Sequence, residues 1–210
     1  TIDYLIEGET LVTQSKSTGL GIIELTTAFS SLSPDAVVTV ADRFETMATA
    51  ISASYLNIPL VHLQGGEVSG NIDDRVRHAI TKLSDYHFVG TEDSKERVVS
   101  MGEEEKRVYN YGCPAMDILK NIDLSISNER MSNYGGVGFK INWDKPFILM
   151  MQHPVTTSYG NGFVEVTETL KALKKLKDIQ KIVLWPNADA GSDDVSKGIR
   201  VFREMLDSSD

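Results

Sequence analysis

Short apolar runs alternate with segments of helical periodicity along most of this chain. The predicted strands are short and dominated by β-branched, aromatic and long apolar residues: 36–40, 59–63, 86–89, 107–111, 147–151 and 182–185. The predicted helices place apolar residues three and four positions apart: 42–57, 72–83, 92–101, 114–119, 163–177 and 193–206. Short apolar strands between helices are typical of an α/β fold with parallel sheets that helices cover on both faces.

The alternation weakens between residues 112 and 144, and residues 128–138 are polar and rich in glycine. We therefore predict two sheets in two domains, 1–115 and 145–210, joined by an interdomain segment at 116–144. Four predicted strands precede the break and two follow it, so we expect both domains to be incomplete. The chain also opens on Thr1, directly in sequence of structured character, which we interpret as part of a longer protein.

The formal net charge of −9 indicates which classes of partner the chain can bind. Nucleic-acid-binding domains usually carry a basic face, so the acidic balance argues against a nucleic-acid partner. A phosphorylated small ligand stays compatible, because a helix N-terminus or a local arginine binds phosphate inside an acidic protein. Cys113 is the single cysteine and no apolar run approaches about 18 residues, so we expect a cytoplasmic protein with no membrane partner.

Polar residues follow four of the predicted strands at the end where open parallel sheets bind ligands. They are Asp42-Arg43 after the first strand, Gln64-Gly65-Gly66-Glu67 after the second, Gln152-His153-Pro154 after the fifth, and Asn187 with Asp189 after the sixth. The opposite edge of the sheets shows no such concentration of polar residues. The pattern predicts a ligand site at the carboxyl edge.

Several of these residues also have an ordinary structural explanation. Asp42 lies where a helix begins and would serve as its N-cap or as a first-turn acid that complements the helix dipole. Asp73 and Asp74 would complement the dipole at the start of the next helix, and Arg77 is spaced to pair with either acid. His62 lies inside a strand, so we interpret it as structural.

The combination of acids with a histidine indicates chemistry more strongly than any member alone. Glu67 follows two glycines that permit close backbone approach, and His153 stands just past a strand, before a proline. With Asp42 and the Asp73–Asp74 pair, they have the composition of a general acid–base site that stabilises positive charge. Carboxylates and histidine also hold divalent metals. The chain lacks His-x-His and His-Glu-x-x-His spacings, so we expect no metal.

One long block and four short ones carry a resemblance to a known family. The long block, 65–83, reads Gly-Gly-Glu-Val-Ser-Gly-Asn-Ile-Asp-Asp-Arg-Val-Arg-His-Ala-Ile-Thr-Lys-Leu. The short blocks are Asp-Arg-Phe-Glu at 42–45, Gly-Cys-Pro at 112–114, Gln-His-Pro-Val-Thr-Thr at 152–157 and Pro-Asn-Ala-Asp-Ala-Gly at 186–191. Over about residues 15–200, the chain resembles the hydrolysing UDP-N-acetylglucosamine 2-epimerases of the sialic and legionaminic acid pathways.

The resemblance implies a glycosyltransferase-B-like fold with the active site between two Rossmann-like domains. It implies that UDP is eliminated from UDP-N-acetylglucosamine to give 2-acetamidoglucal, and that water then adds to release N-acetylmannosamine, without a cofactor. The implied catalytic residues are Asp42, Glu67, Asp73, Asp74 and His153. The implied substrate-binding residues are Arg43, Gly66, Ser69, Arg77, Gln152, Asn187 and Asp189. The implied assembly is a homodimer or homotetramer, and the implied partner is the UDP-sugar.

The chain departs from the family in length and in its phosphate-binding loops. Family members are nearly twice as long, and their opening Gly-Thr-Arg-like loop and later Ser/Gly-rich loop, which holds the UDP diphosphate, are absent here. We therefore expect little or no turnover by these 210 residues alone. Three alternatives stay open: a UDP-N,N′-diacetylbacillosamine 2-epimerase, a glycosyltransferase on the same architecture, and a non-catalytic protein that binds nucleotide. The epimerase hypothesis requires that Asp42, Glu67 and His153 line one shared pocket.

Overall fold

The computed structural model describes residues 1–70, 72–131 and 133–205, which form two compact units, Thr1–Asn121 and Ile122–Asp210. Asn71 of the long family-like block and Leu206 of the last predicted helix lie outside the described residues. Our assignment of domains and of an interdomain segment stays a prediction. Within the described ranges, no helix is long and apolar enough to cross a membrane.

The first unit is a four-stranded parallel sheet with its connecting helices. Its helices are α1 (Leu11–Leu32), α2 (Phe44–Tyr55), α3 (Ile72–Leu83), α4 (Glu92–Ser100) and α5 (Pro114–Leu119). Its strands are β1 (Val37–Val40), β2 (Leu60–Leu63), β3 (Tyr86–Val89) and β4 (Val108–Asn110), in that spatial order, and a 3₁₀ turn, Glu105–Arg107, precedes β4. Because each strand is parallel to its neighbours, all four carboxyl ends lie at one edge.

The second unit is a smaller parallel sheet. Its strands are β5 (Phe147–Met151) and β6 (Gln180–Leu184), paired in parallel. Its helices are α6 (Asn128–Met131), α7 (Gly162–Lys175) and α8 (Ser192–Glu204), with a 3₁₀ turn at Thr156–Ser158. The predicted strands are therefore present in two separate sheets, which confirms the α/β prediction.

The prediction of helices on both faces of each sheet is wrong for the described residues. Side chains alternate between the faces of a strand, and only one face packs against helices. On the other face, Val38 and Val40 are 59% and 45% exposed, and Leu149 and Met151 are 58% and 59% exposed. The continuous apolar runs suggested two buried faces, but in this structure they bury one.

The long helix α1 has no counterpart among our predicted helices. Its N-terminus is fixed by a capping box, in which Thr10 and Thr13 exchange side-chain to backbone hydrogen bonds. Its buried positions are Ser17, Gly21 and Leu25, so the face that packs inward is small rather than apolar. Because two of these three side chains lack a large apolar group, the helical period is weak in the sequence.

Candidate active site

The first candidate site lies at the carboxyl edge of β1, β2 and β3. Ala41 and Gln64, which directly follow β1 and β2, adopt left-handed backbone conformations with φ of 60° and 62°. The Ala41 N–H donates to the Leu63 carbonyl at 2.9 Å, and the Gln64 N–H donates to the Phe88 carbonyl at 2.8 Å. Each strand therefore ends in the same kind of turn, which brings Asp42 and the 65–67 loop to the same edge.

Arg77 joins three segments at this edge. Its guanidinium side chain, on α3, is only 7% exposed. Nη2 donates to Asp42 Oδ2, while Nη1 donates to Asp74 Oδ1 at 3.0 Å and to the Glu67 carbonyl at 2.7 Å. The spacing predicted that Arg77 pairs with Asp73 or Asp74, and the pair with Asp74 is observed. One buried cation thus links the turn after β1, the loop after β2 and the start of α3.

The N-cap explanation of Asp42 is wrong. The N-cap of α2 is Arg43, which makes no side-chain capping hydrogen bond. Asp42 precedes it by one position and directs its carboxylate to Arg77 instead. A tertiary ion pair therefore determines the orientation of Asp42, and local helix capping does not.

Asp74 is an ionised acid whose carboxylate oxygens accept hydrogen bonds from several groups of the protein. Its carboxylate accepts from the Ser69 N–H at 2.7 Å, the Ser69 hydroxyl at 2.9 Å and the Gly70 N–H at 2.8 Å, besides Arg77. These hydrogen bonds, led by the one from the Ser69 backbone, lower the pKa of Asp74 below its ordinary value. A carboxylate with this many donors is suited to hold the loop rather than to carry a proton.

Among the predicted acids Asp42, Glu67, Asp73 and Asp74, Glu67 is the exposed residue. Its backbone carbonyl is held by Arg77. Its carboxylate extends over the end of β3, where a Cβ added to Gly90 would stand 3.5 Å from Oε1. Asp73 is half-buried in the first turn of α3, beside Asp74. Of the acids gathered here, Glu67 is the best placed to meet a ligand.

Helix α4 packs against the loop that carries Glu67 and fixes its backbone. Gly66 has a φ of +78°, and a Cβ at this position would overlap the Ser94 carbonyl oxygen and Val98. The Arg97 guanidinium, also on α4, donates to the Gly66 carbonyl. Our sequence analysis missed Arg97, because a contact between residues 31 positions apart leaves no local signal.

Two predicted substrate-binding residues at this edge have protein partners. Arg43 pairs with Glu45 on α2, with a separation of 3.2 Å between Nε and Oε2. Ser69 uses its hydroxyl and its N–H on Asp74. Their predicted contacts with substrate stay predictions.

The second candidate site lies at the carboxyl edge of β5 and β6. His153 is exposed, and its Nδ1 accepts a hydrogen bond from the Asn187 N–H at 3.1 Å. The neutral ring therefore carries its proton on Nε2, where it can be donated to a ligand oxygen. The buried Ser192 hydroxyl, at the start of α8, donates to the Asn187 carbonyl and, at 2.6 Å, to the Asp189 carbonyl. Gln152, half-buried, directly precedes His153.

The structure thus assembles the predicted residues in two groups. Asp42, Gly66, Glu67, Ser69, Asp73, Asp74 and Arg77 lie together in the first unit, and His153, Asn187 and Asp189 lie together in the second. A pocket shared by Asp42, Glu67 and His153 stays a prediction.

Comparison with known protein sequences identifies the family of this chain. The family described as UDP-N-acetylglucosamine 2-epimerase matches residues 1–208. UDP-N,N′-diacetylbacillosamine 2-epimerase (hydrolyzing) of Legionella pneumophila is 37% identical over 93% of this chain and 50% of its own length. GDP/UDP-N,N′-diacetylbacillosamine 2-epimerase (hydrolyzing) of Campylobacter jejuni is 37% identical over 90% of this chain and 48% of its own. The chain spans about half the length of these relatives.

Solved structures share the fold. The UDP-GlcNAc 2-epimerase of Neisseria meningitidis bound to UDP-GlcNAc aligns with a TM-score of 0.74 at 20% identity, covering 97% of this chain and 55% of its own. A Staphylococcus aureus MnaA–UDP co-structure aligns with a TM-score of 0.69 at 23% identity, covering 90% and 50%. These likenesses confirm the predicted glycosyltransferase-B-like fold.

Proposed function

Since the chain belongs to the UDP-N-acetylglucosamine 2-epimerase family, we propose that it carries catalytic residues of a hydrolysing 2-epimerase that acts on a UDP-linked 2-acetamido sugar. The observation that carries this proposal is the cluster at the edge of β1–β3. There, the buried Arg77 holds both the Asp42 carboxylate and the backbone carbonyl of Glu67, whose own side chain is exposed. An accessible carboxyl group that can carry a proton, at the same sheet edge as a fixed negative charge, suits an elimination through a cationic sugar.

The chemistry follows from the acidity of the sugar. The proton on C2 is not next to a carbonyl, so its removal alone is too costly. In the proposed first step a base takes this proton as the C1–O bond to UDP breaks, which leaves a C1=C2 double bond in 2-acetamidoglucal. Positive charge develops at C1 and the ring oxygen, as in glycoside hydrolysis. In the second step a water hydroxyl adds at C1 and a proton adds to the opposite face of C2, which releases the free epimer and UDP.

The contacts of the acids divide their proposed roles. Glu67 is the candidate for proton transfer at C2, because its carboxylate is accessible. Asp42, held by Arg77, is the candidate for stabilising the cationic sugar. Asp74 holds the Ser69–Gly70 turn, and Asp73 in the same helical turn is kept as a second proton carrier.

The second group of residues is proposed to bind the leaving nucleotide. The Nε2–H of His153 is available for a phosphate oxygen, because Nδ1 is occupied by the Asn187 N–H. Gln152, Asn187 and Asp189 follow the same strand ends, and Arg43 and Gly66 are proposed to bind substrate from the first unit. This proposal requires that His153 and Glu67 face one substrate in the complete protein.

The sugar itself has two candidates. UDP-N-acetylglucosamine is the substrate that the long family-like block implies, and a Neisseria meningitidis UDP-N-acetylglucosamine 2-epimerase is 33% identical over 78% of this chain. UDP-N,N′-diacetylbacillosamine is favoured by the relatives with 37% identity. Competition between the two UDP-sugars for the complete protein measures the preference directly.

Proton NMR of each UDP-sugar in D₂O with the complete protein tests the proposal. We expect release of the free epimerised sugar with deuterium at C2. Deuterium at C2 of an unreleased UDP-sugar would instead indicate a non-hydrolysing epimerase. Transfer of the sugar to an acceptor would indicate a glycosyltransferase, and UDP binding without any product would indicate a non-catalytic nucleotide-binding protein.

The Glu67→Gln variant tests the proposed base. Removing a general acid–base group usually lowers kcat by about two to four orders of magnitude. Glu24→Gln is the matched control, because Glu24 is exposed on α1 and belongs to neither candidate site. Wild-type turnover by folded Glu67→Gln would exclude Glu67 as the proton carrier.

A further inference from the structure

His62 is a fully buried histidine that lies directly beneath the first candidate site. It sits in β2, opposite Thr39 of β1 and His87 of β3, and none of its surface is exposed. Its Nε2 lies 2.8 Å from the Ala41 carbonyl oxygen, and its Nδ1 lies 3.1 Å from the Thr81 hydroxyl. One ring therefore contacts both the turn before Asp42 and helix α3.

The same ring also supports the loop that leads to Glu67. A Cβ added to Gly65 would lie 3.0 Å from His62 Nδ1 and 3.1 Å from the Thr81 hydroxyl. Gly65 therefore passes directly over the imidazole, with no room for a larger residue. The three segments that Arg77 joins are thus also contacted by His62.

The protonation of the ring follows from its partners. A carbonyl oxygen only accepts, so Nε2 must carry the hydrogen that is donated to Ala41. Burial, the largest cause, lowers the pKa of His62 to about 4, which keeps the ring neutral. Nδ1 is then an acceptor that faces the Thr81 hydroxyl, whose single proton is shared between Nδ1 and the Arg77 carbonyl, 3.0 Å away.

The contact with Ala41 fixes an unfavourable backbone conformation. Ala41 has a φ of 60°, a region that L-residues with a Cβ rarely adopt. In this conformation the Ala41 carbonyl accepts a hydrogen bond from the imidazole, and the carboxylate of the next residue, Asp42, accepts one from Arg77. Loss of the hydrogen bond to His62 should therefore destabilise the turn at Ala41.

We propose that His62 is a positioning residue, which holds the Asp42 turn, the Gly65–Glu67 loop and helix α3 in the mutual geometry that the reaction needs. This inference rests on the proposed function for its catalytic consequence, but the geometry itself can be measured without turnover. His62 touches no substrate in this proposal, so its removal should lower kcat with little change in KM.

Two amide variants of the complete protein separate the role of the Ala41 hydrogen bond from mere burial. In His62→Gln the side-chain NH₂ reaches the position of Nε2, so it can still donate to the Ala41 carbonyl. In His62→Asn the shorter side chain reaches only the position of Nδ1. His87→Asn is the matched control, because His87 is the register partner of His62 and is equally buried, but its Nε2 contacts Glu103 at 3.3 Å, away from the site.

We expect folded His62→Asn to lose about 100-fold in kcat, the effect of a displacement of about 1 Å in a catalytic group. His62→Gln should recover most of this loss, and His87→Asn should keep the wild-type kcat. If both His62 variants fail to fold, Thr81→Val removes the hydroxyl at Nδ1 and should lower kcat in the same way. Equal kcat for His62→Asn and His62→Gln, a similar loss in His87→Asn, or an unchanged kcat in Thr81→Val would overturn the proposal.

Amide NMR distinguishes a failure of this inference from a failure of the proposed function. If the wild-type protein releases no free sugar, the proposed function fails while the positioning role is still tested. We then expect the Ala41, Asp42 and Gly65 amide signals to shift in His62→Asn and to return towards their wild-type positions in His62→Gln. Wild-type positions of these signals in His62→Asn would overturn the positioning role.

Discussion

In the first unit, buried side chains hold the segments that carry the candidate acids. In the second unit, the candidate histidine is exposed and is held by one backbone hydrogen bond. Arg77 and His62 are buried beneath the edge of β1–β3 and bind three segments that carry acids. His153 is exposed and accepts one hydrogen bond from the backbone of Asn187. Groups that stabilise a developing charge must be oriented before the reaction, while a group that binds a leaving phosphate can adjust to it. We therefore expect mutations beneath the first site to have larger effects than mutations beneath the second.

Removal of the buried cation should give the largest effect on stability. Arg77→Met keeps the length and apolar stem of the side chain but leaves Asp42 and Asp74, 17% and 16% exposed, without their cation. Breaking a buried ion pair from one side typically costs about 3–5 kcal/mol. Urea unfolding of the complete protein measures the loss.

Arg43→Met is the control for this change. Arg43 pairs with Glu45 at the surface, and such pairs contribute about 0–1 kcal/mol. Equal losses for Arg77→Met and Arg43→Met would show that the guanidinium of Arg77 does not organise the first site.

Acid should destabilise the first unit through His62. The folded-state pKa of about 4 lies below the ordinary value of 6.5, so the unfolded chain binds a proton more readily between these two values. The contribution is complete above about pH 6.5 and is lost as the pH falls towards 4, by about 3 kcal/mol. Burial lowers the pKa of His87 as well, which adds loss in the same direction.

The free energy of unfolding, measured against pH for wild-type protein and His62→Gln, isolates this contribution. Gln does not titrate, so the variant should lose less stability between pH 6.5 and pH 4. Parallel pH profiles for the two proteins would mean that His62 is not held as a neutral donor.

Two glycines on the loop after β2 test how closely this loop packs on the rest of the first unit. Gly66 and Gly70 both have positive φ, but only at Gly66 would a Cβ overlap a neighbouring element, α4. Gly70→Ala should cost about 1 kcal/mol, the backbone strain alone. Gly66→Ala should cost about 2–3 kcal/mol, because steric overlap is added to the strain. Thermal unfolding measures both, and equal costs would contradict the close packing of this loop on α4.

Much of the fold could be predicted from the sequence because it depends on local pattern. Strands β3 and β5 and helices α3 and α5 begin and end where the periodicity predicts. Helix α1 could not be predicted, because its packing uses Ser17 and Gly21 in place of large apolar residues. The uncovered sheet faces could not be predicted either, because a continuous apolar run has the same sequence pattern whether one face of the strand or both faces are buried.

The position of the candidate residues in the fold was predictable, but their contacts were not. The end of each predicted strand placed Asp42 and Glu67 at the carboxyl edge of the sheet, and helical spacing offered Asp73 or Asp74 as the partner of Arg77, of which the pair with Asp74 is observed. The ion pair between Asp42 and Arg77 joins residues 35 positions apart, and the Arg97 contact with Gly66 joins residues 31 apart. Such pairs depend on how strands and helices pack, which no short window of sequence contains.

The smallest effect is expected beneath the second site. Ser192→Ala removes a buried hydroxyl that donates to the carbonyls of Asn187 and Asp189, so it should cost about 1 kcal/mol in unfolding free energy. Ser196→Ala, one turn further along α8, is the control and should change stability by less than about 0.5 kcal/mol. The loosened loop should also weaken the hydrogen bond from Asn187 to His153, which the ¹⁵N signals of the imidazole report as a smaller share of the Nε2–H tautomer. A loss as large as that of Arg77→Met would show that the second site is fixed as firmly as the first, and the contrast between the two units would then be wrong.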